Sequence, residues 1–132
     1  MAATPAFAST PRLAASPVIT ANTNRDGTGT IVDILTGVAA GTRIERVIIT
    51  TTSDPADSIV TLFLYDGSYY RIFDEFDLGN PAAASTTVPG FRTEKVYRDL
   101  VLPSSSWKLA AAITVALTAG NMVVFAAGAD LT

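Results

Sequence analysis

The stretch SIVTLFLYDGSYYRIFDEF, Ser58–Phe76, decides how this chain folds. Two runs rich in β-branched and aromatic residues flank Asp66-Gly67. Asp-Gly supplies the positive φ that a tight turn between twisted strands requires, so a hairpin with arms Ser58–Asp66 and Tyr69–Phe76 is expected. Its first arm is apolar on both faces from Ile59 to Tyr65, apart from Thr61. A strand of that kind belongs in the middle of a sheet that is covered on both sides.

Outward from the hairpin the same signal recurs. In Trp107–Leu117 the positions Trp107, Leu109, Ala111, Ile113, Val115 and Leu117 share one face, and Lys108, Ala110, Ala112, Thr114 and Ala116 share the other. That is the period of a strand, despite the helix-friendly alanines. In Arg43–Thr52 the period slips, because Ile44 and Val47 are three apart before Ile49 resumes alternation. A β-bulge near Glu45–Arg46 would restore all three to one face. Further strands are expected near Val18–Ala21, Thr30–Thr36, Phe91–Leu100 and Met122–Ala127. No segment carries a capped apolar stripe of helical period. About eight short strands with Gly and Pro turns predict an all-β fold, an antiparallel β-sandwich of jelly-roll-like form.

The expected domain spans residues 18–132. Residues 1–17 carry Pro5, Pro11 and Pro17 among Ala, Ser and Thr. Proline at this density opposes helix and sheet ladders, which predicts an extended arm. The arm is either a frayed terminus or a strap on a neighbouring subunit, with Phe7 and Leu13 as anchors. The longest gap, Asp77–Gly90, is small, polar and Pro-punctuated, and is expected as a surface loop. Its Pro81, Val88 and Pro89 are candidate partner contacts.

Composition narrows the function. The 132 residues suffice for one domain with a real core, and 48% hydrophobic against 16% charged residues excludes a disordered tail. A net charge of −3 with scattered basic residues opposes nucleic-acid binding and membrane-surface binding. The N-terminus lacks the basic and apolar regions of a secretory signal, so a soluble protein without an export address is expected. With no Cys and no His, disulfides, Cys nucleophiles, His bases and most zinc sites are removed.

Three constellations remain as candidates. Asn22, Asn24, Asp26, Gly27 and Asp33 match most of the spacing of an EF-hand calcium loop. Asn in place of the first acid, Asp in place of the last Glu, and strands in place of flanking helices argue instead for a strand connector. Its Asn and Asp would bond local backbone, and Gly27 and Gly29 would take the turning dihedrals. Asp74 and Glu75 fall on opposite faces of a strand and do not build a catalytic pair with Asp77. Tyr69, Tyr70 and Trp107 suit either a sugar-stacking platform or ordinary packing, and packing is the expectation. No activated nucleophile assembles, so neither an enzyme nor a cofactor is expected.

The ordered series Ala21–Gly29, Ala40–Val47, Leu62–Gly67 and Leu100-Val101-Leu102-Pro103 resembles small tailed-bacteriophage virion proteins of the jelly-roll head decoration, or cement, type. The resemblance runs from about residue 18 to the C-terminus. It implies a structural protein on the outer surface of the capsid, made in the host cytoplasm. Its partners would be the major capsid protein and its own copies, as a dimer or trimer. Ile48 departs from the pattern, where a polar residue is expected, and would add contact area. The alternative is a glycan-binding or adhesion module of a phage tail or head fibre.

Overall fold

The computed structural model describes residues 8–52, 57–117 and 121–131. Its strands are β1 (Ala8–Pro17), β2 (Val32–Thr36), β3 (Thr42–Thr51), β4 (Ser58–Tyr65), β5 (Tyr70–Gly79), β6 (Arg92–Leu102), β7 (Lys108–Ile113) and β8 (Met122–Leu131). The described residues contain no helix. They form two antiparallel four-stranded sheets: sheet A in the order β1-β8-β3-β6, and sheet B in the order β2-β7-β4-β5. The pairing follows one rule, in which β4 meets β5, β3 meets β6, β2 meets β7 and β1 meets β8. The chain thus doubles back as one long antiparallel ribbon. The pairs β3–β8 and β4–β7 then join its turns into sheets.

Alternation puts the apolar residues between the sheets. Ile44, Val47, Ile49, Leu102 and Val124 of sheet A meet Val60, Leu62, Leu109 and Ile113 of sheet B, all fully buried. Each such side chain stabilises the fold by about 1.5–3 kcal/mol. The slip in β3 is a bulge, as expected: the register shifts between Ile44 and Arg46 against both β6 and β8. Gly128 faces that bulge, where a Cβ would collide with the carbonyl of Arg43. This close approach lets β8 run on through Gly128 to Leu131, beyond the expected end at Ala127.

Two boundaries differ from expectation. Residues 8–17, expected in an arm outside the domain, are β1, the edge strand of sheet A. Val18 donates its N–H to the Met122 carbonyl, and the register runs unbroken from Pro11 to Pro17. Both prolines therefore alternate with the bonded positions and turn their nitrogens to the open edge, where no ladder bond is lost. Residues 18–21 are not a strand, although Ala21 makes a single parallel bridge to Ile113. At the other end, β7 stops at Ile113 instead of Leu117. Thr114 there exchanges hydrogen bonds with Ile59, its hydroxyl accepting the Ile59 N–H, and Val115 turns outward.

The β4–β5 hairpin forms at Asp66-Gly67, with Gly67 at φ 95°. The Asp66 carboxylate accepts the N–H groups of Ser68 and Tyr69. Strand β4 is central in sheet B, and the sheet is covered on both sides, as its sequence demands. Val60 and Leu62 face the main core, while Phe63, on the opposite face, is buried with Ala110, Ala112, Ile31 and Tyr70.

The cover over that outer face is the connector of residues 18–31. Asn22 donates its N–H to Ile113, and Gly27 packs against the Tyr70 carbonyl. Arg25 grips Glu75 of β5 through two bonds, at 2.7 and 3.0 Å. Asn22 organises the loop. Only 7% exposed, it donates from Nδ2 to the carbonyls of Thr28 and Thr30, both at 2.9 Å, and accepts the Asn24 N–H. Gly27 and Gly29 take φ 90° and 86°, as the connector reading requires. Asn22→Ala leaves two carbonyls and one N–H without these partners. The expected cost is about 2–3 kcal/mol, or roughly 6–12 °C in Tm. Asn22→Asp, which cannot donate, should not rescue it. Urea and thermal denaturation of the three proteins check this.

Candidate functional site: sheet edges and outer faces

The two sides of the sandwich are each closed by polar contacts between edge strands of opposite sheets. On the β1–β2 side, Arg12 pairs with Asp130 at 2.8 Å and also donates to the Thr36 carbonyl. Asp130 in turn accepts the Thr42 hydroxyl at 2.8 Å, so one carboxylate links β1, β8 and β3. On the β5–β6 side, Asp74 accepts from the Tyr97 hydroxyl at 2.8 Å and from Lys95 at 3.1 Å. Lys95 also donates to the Glu75 carbonyl and lies over the Phe76 ring. Beside this knot the Phe73 and Tyr97 rings stand 5.3 Å apart at the mouth of a groove of about 250 Å³, completed by Arg98, Asp99 and Leu100.

The electrostatics of these contacts are structural in kind. Burial opposes the charge on Asp74, yet hydrogen bonds from Tyr97, the Glu75 N–H and Lys95 outweigh it and hold the carboxyl below its usual range. Burial and then Asp74 push the Tyr97 phenol up. Asp66 is brought down to about 2 by the Tyr69 N–H, Arg71 and the Ser68 N–H. Tyr70 is pushed up to about 12 by burial and by its hydrogen bond to Asp33.

Nothing here gathers into a reaction centre. Asp74 and Glu75 do diverge, Asp74 toward β6 and Glu75 toward Arg25. Asp26 is spent on the Thr28 N–H and hydroxyl, and Asp33 on Tyr70 and Lys108, so the two carboxylates of the EF-hand spacing do not converge. Among the described residues no group of three or more His, Cys, Asp or Glu is placed to hold a metal ion. The three aromatic candidates separate. Tyr69 is exposed at the hairpin tip under Arg71, Tyr70 is half-buried against Tyr65, and Trp107 packs on the main core.

Of the candidate contact residues, Leu13 is exposed on the outer face of β1. Val88 and Pro89 are exposed and Pro81 half-buried in the loop after β5, whose turn is fixed by the Ser85 hydroxyl accepting from Thr87 and Val88. Phe7 lies outside the described residues. Ile48 stands on the outer face of sheet A, beside Phe125 in register. Val96 and Val101, which the sequence reading passed over, are exposed on β6. The alternation in Arg92–Leu102 carried that signal, because Leu100 and Leu102 face inward and Val96 and Val101 therefore face out.

Comparison of the chain with protein-family models, with curated proteins and with solved structures finds no match. The interpretation therefore rests on the residues and the fold.

Both Asp66 and Asp74 titrate lower in the folded chain than the usual carboxyl value of about 4, so the stability they add is complete above about pH 4 and is lost on acidification through their folded values. Tm should be flat from about pH 8 to 5 and fall below about pH 4. Asp74→Asn, which gives up the ion pair with Lys95 at a partly exposed site, should lower Tm by about 3–5 °C at neutral pH and flatten the acid limb. Melting followed by circular dichroism across pH reads both effects.

Proposed function

We propose that this chain is a structural subunit of a tailed-bacteriophage particle: a jelly-roll sandwich on the outer surface of the head that binds the major capsid protein and braces neighbouring capsomers. The observation that carries the reading is the strand order. In an eight-strand ribbon each strand pairs with the one equally far from the other end, and the ribbon rolls into sheets ordered β1-β8-β3-β6 and β2-β7-β4-β5. A rolled ribbon of that kind is what a jelly roll is, and jelly rolls recur in viral capsid proteins. The side-chain chemistry agrees with a packing role. The carboxylates of the edges and the connector are spent on interstrand and local bonds, while Leu13, Val96 and Val101 present apolar surface outward. The resemblance of the turn series Ala21–Gly29 and Leu62–Gly67 to cement proteins supplies the particle.

Particles purified with and without the protein test this. The chain is expected in heads at a fixed ratio to the major capsid protein. Heads lacking it should lose DNA sooner under heat, chelator or osmotic shock. Its absence from particles, or unchanged heads after its loss, would refute the role.

A further inference from the structure

The outer faces of the two sheets are treated differently by the chain. Sheet B has its apolar outer residues, Phe63, Ala110 and Ala112, roofed by residues 18–31. On sheet A the outward positions of β1, β8 and the middle of β3 are also apolar, with Ala15, Phe125 and Ile48 adjacent in register. No described segment of this chain crosses them. The next row of the same face reads Leu13, Ala127, Arg46, Val96 across the four strands. Leu13 at 70% and Val96 at 67% exposure are the most exposed large aliphatic side chains among the described residues. They stand at opposite ends of one row.

We infer that the outer face of sheet A is a self-association surface, packed back to back on the same face of a second copy about a two-fold axis parallel to the strands. Such an axis exchanges the two ends of every row. Leu13 of each copy meets Val96 of the other, and Phe125 meets Ile48, which is the reciprocity that an isologous contact requires. The charges select this axis. Arg43, Arg46, Arg92 and Arg98 all lie on the β3–β6 half, with Glu94 paired to Arg46 and Arg92. The outward positions of β1 from Pro11 to Pro17 and of β8 from Val123 to Ala129 carry no charge. A strand-parallel axis sets the charged half of each copy over the uncharged half of the other, with the arginine heads reaching water at the rim. A two-fold axis across the strands would set arginine on arginine. Four strands about 4.8 Å apart and about ten residues long give a face of roughly 19 by 33 Å, so the pair buries about 1,200 Å², the lower bound of a specific interface. The inference goes beyond the capsid role and is independent of it.

Sedimentation equilibrium of the full chain from about 1 to 100 µM tests it. A reversible dimer is expected. Leu13→Glu or Val96→Glu should each raise its Kd at least about tenfold, whereas Tyr69→Glu, equally exposed but on the hairpin tip, should leave it unchanged. Leu13→Glu combined with Val96→Lys places opposite charges across the joint and should restore the dimer. Circular dichroism melts should be unaltered, since neither side chain is buried in the monomer. A monomer throughout, a dimer indifferent to both single changes, or a double variant no better than the singles would overturn the proposal. A dimer with these properties on a protein absent from phage particles would leave this inference intact and remove only the capsid role.

Discussion

Phe63 is the residue on which the arrangement of the chain depends. It lies on the outer face of sheet B yet is fully buried, flanked in register by Ala110 of β7 and Ile72 of β5. A bare phenylalanine there would forgo about 2–3 kcal/mol of burial, so some part of the chain has to cross the sheet. Residues 18–31 do so on their way from β1 to β2, and the sequence is fitted to that crossing. Ala110 and Ala112 are small, which lets the connector come close. Gly27 touches the Tyr70 carbonyl where any side chain would collide. Asn22 supplies from one side chain the hydrogen bonds that a segment lying on a sheet face cannot draw from a ladder.

Burial alone does not choose a register, because hydrophobic attraction has no direction. The contacts at the two open sides of the sandwich do. Arg12, Asp130 and Thr42 can meet only if β1, β8 and β3 are aligned as they are, and Lys95, Tyr97 and Asp74 only if β6 lies beside β5 in one register. Partly exposed pairs of this kind add at most about 1 kcal/mol each. A slip of one residue would forfeit them and also turn every inward side chain to the outside. Their value lies in that discrimination.

The all-β class, the hairpin at Asp66-Gly67, the bulge in β3 and the central, doubly covered position of β4 were all legible in the sequence, because each has a local signature. What escaped had its cause elsewhere in the chain. Pro11 and Pro17 argue against a sheet until their shared parity is set against an open edge, and the edge is defined by the distant β8. Gly128 ends a strand in isolation but continues one opposite the Arg43 carbonyl. Trp107–Leu117 alternates throughout, yet Thr114 is claimed by Ile59 and the last residues leave the sheet. The partner-facing residues were legible only where they departed from pattern, as at Ile48. Leu13 was noticed as an anchor of an arm, and its meaning changes once it shares a row with Val96.

The charge pattern fixes what can regulate such a surface. Each resolved shift moves a group away from neutrality: Asp26, Asp66, Asp74 and Glu75 downward, Tyr70, Tyr97 and Arg25 upward. With no histidine or cysteine in the chain, no side chain of a type that ordinarily titrates between about pH 5 and 8 is present. The arginines on the outer face of sheet A keep their charge across that range, so proton uptake cannot gate contact there. Ionic strength can act, because those arginines are exposed and partly unpaired, and screening by salt reaches exposed charges first. The apolar row from Leu13 to Val96 is insensitive to both. A subunit built this way associates through burial and is oriented through charge, so salt shifts how it docks more than whether it docks.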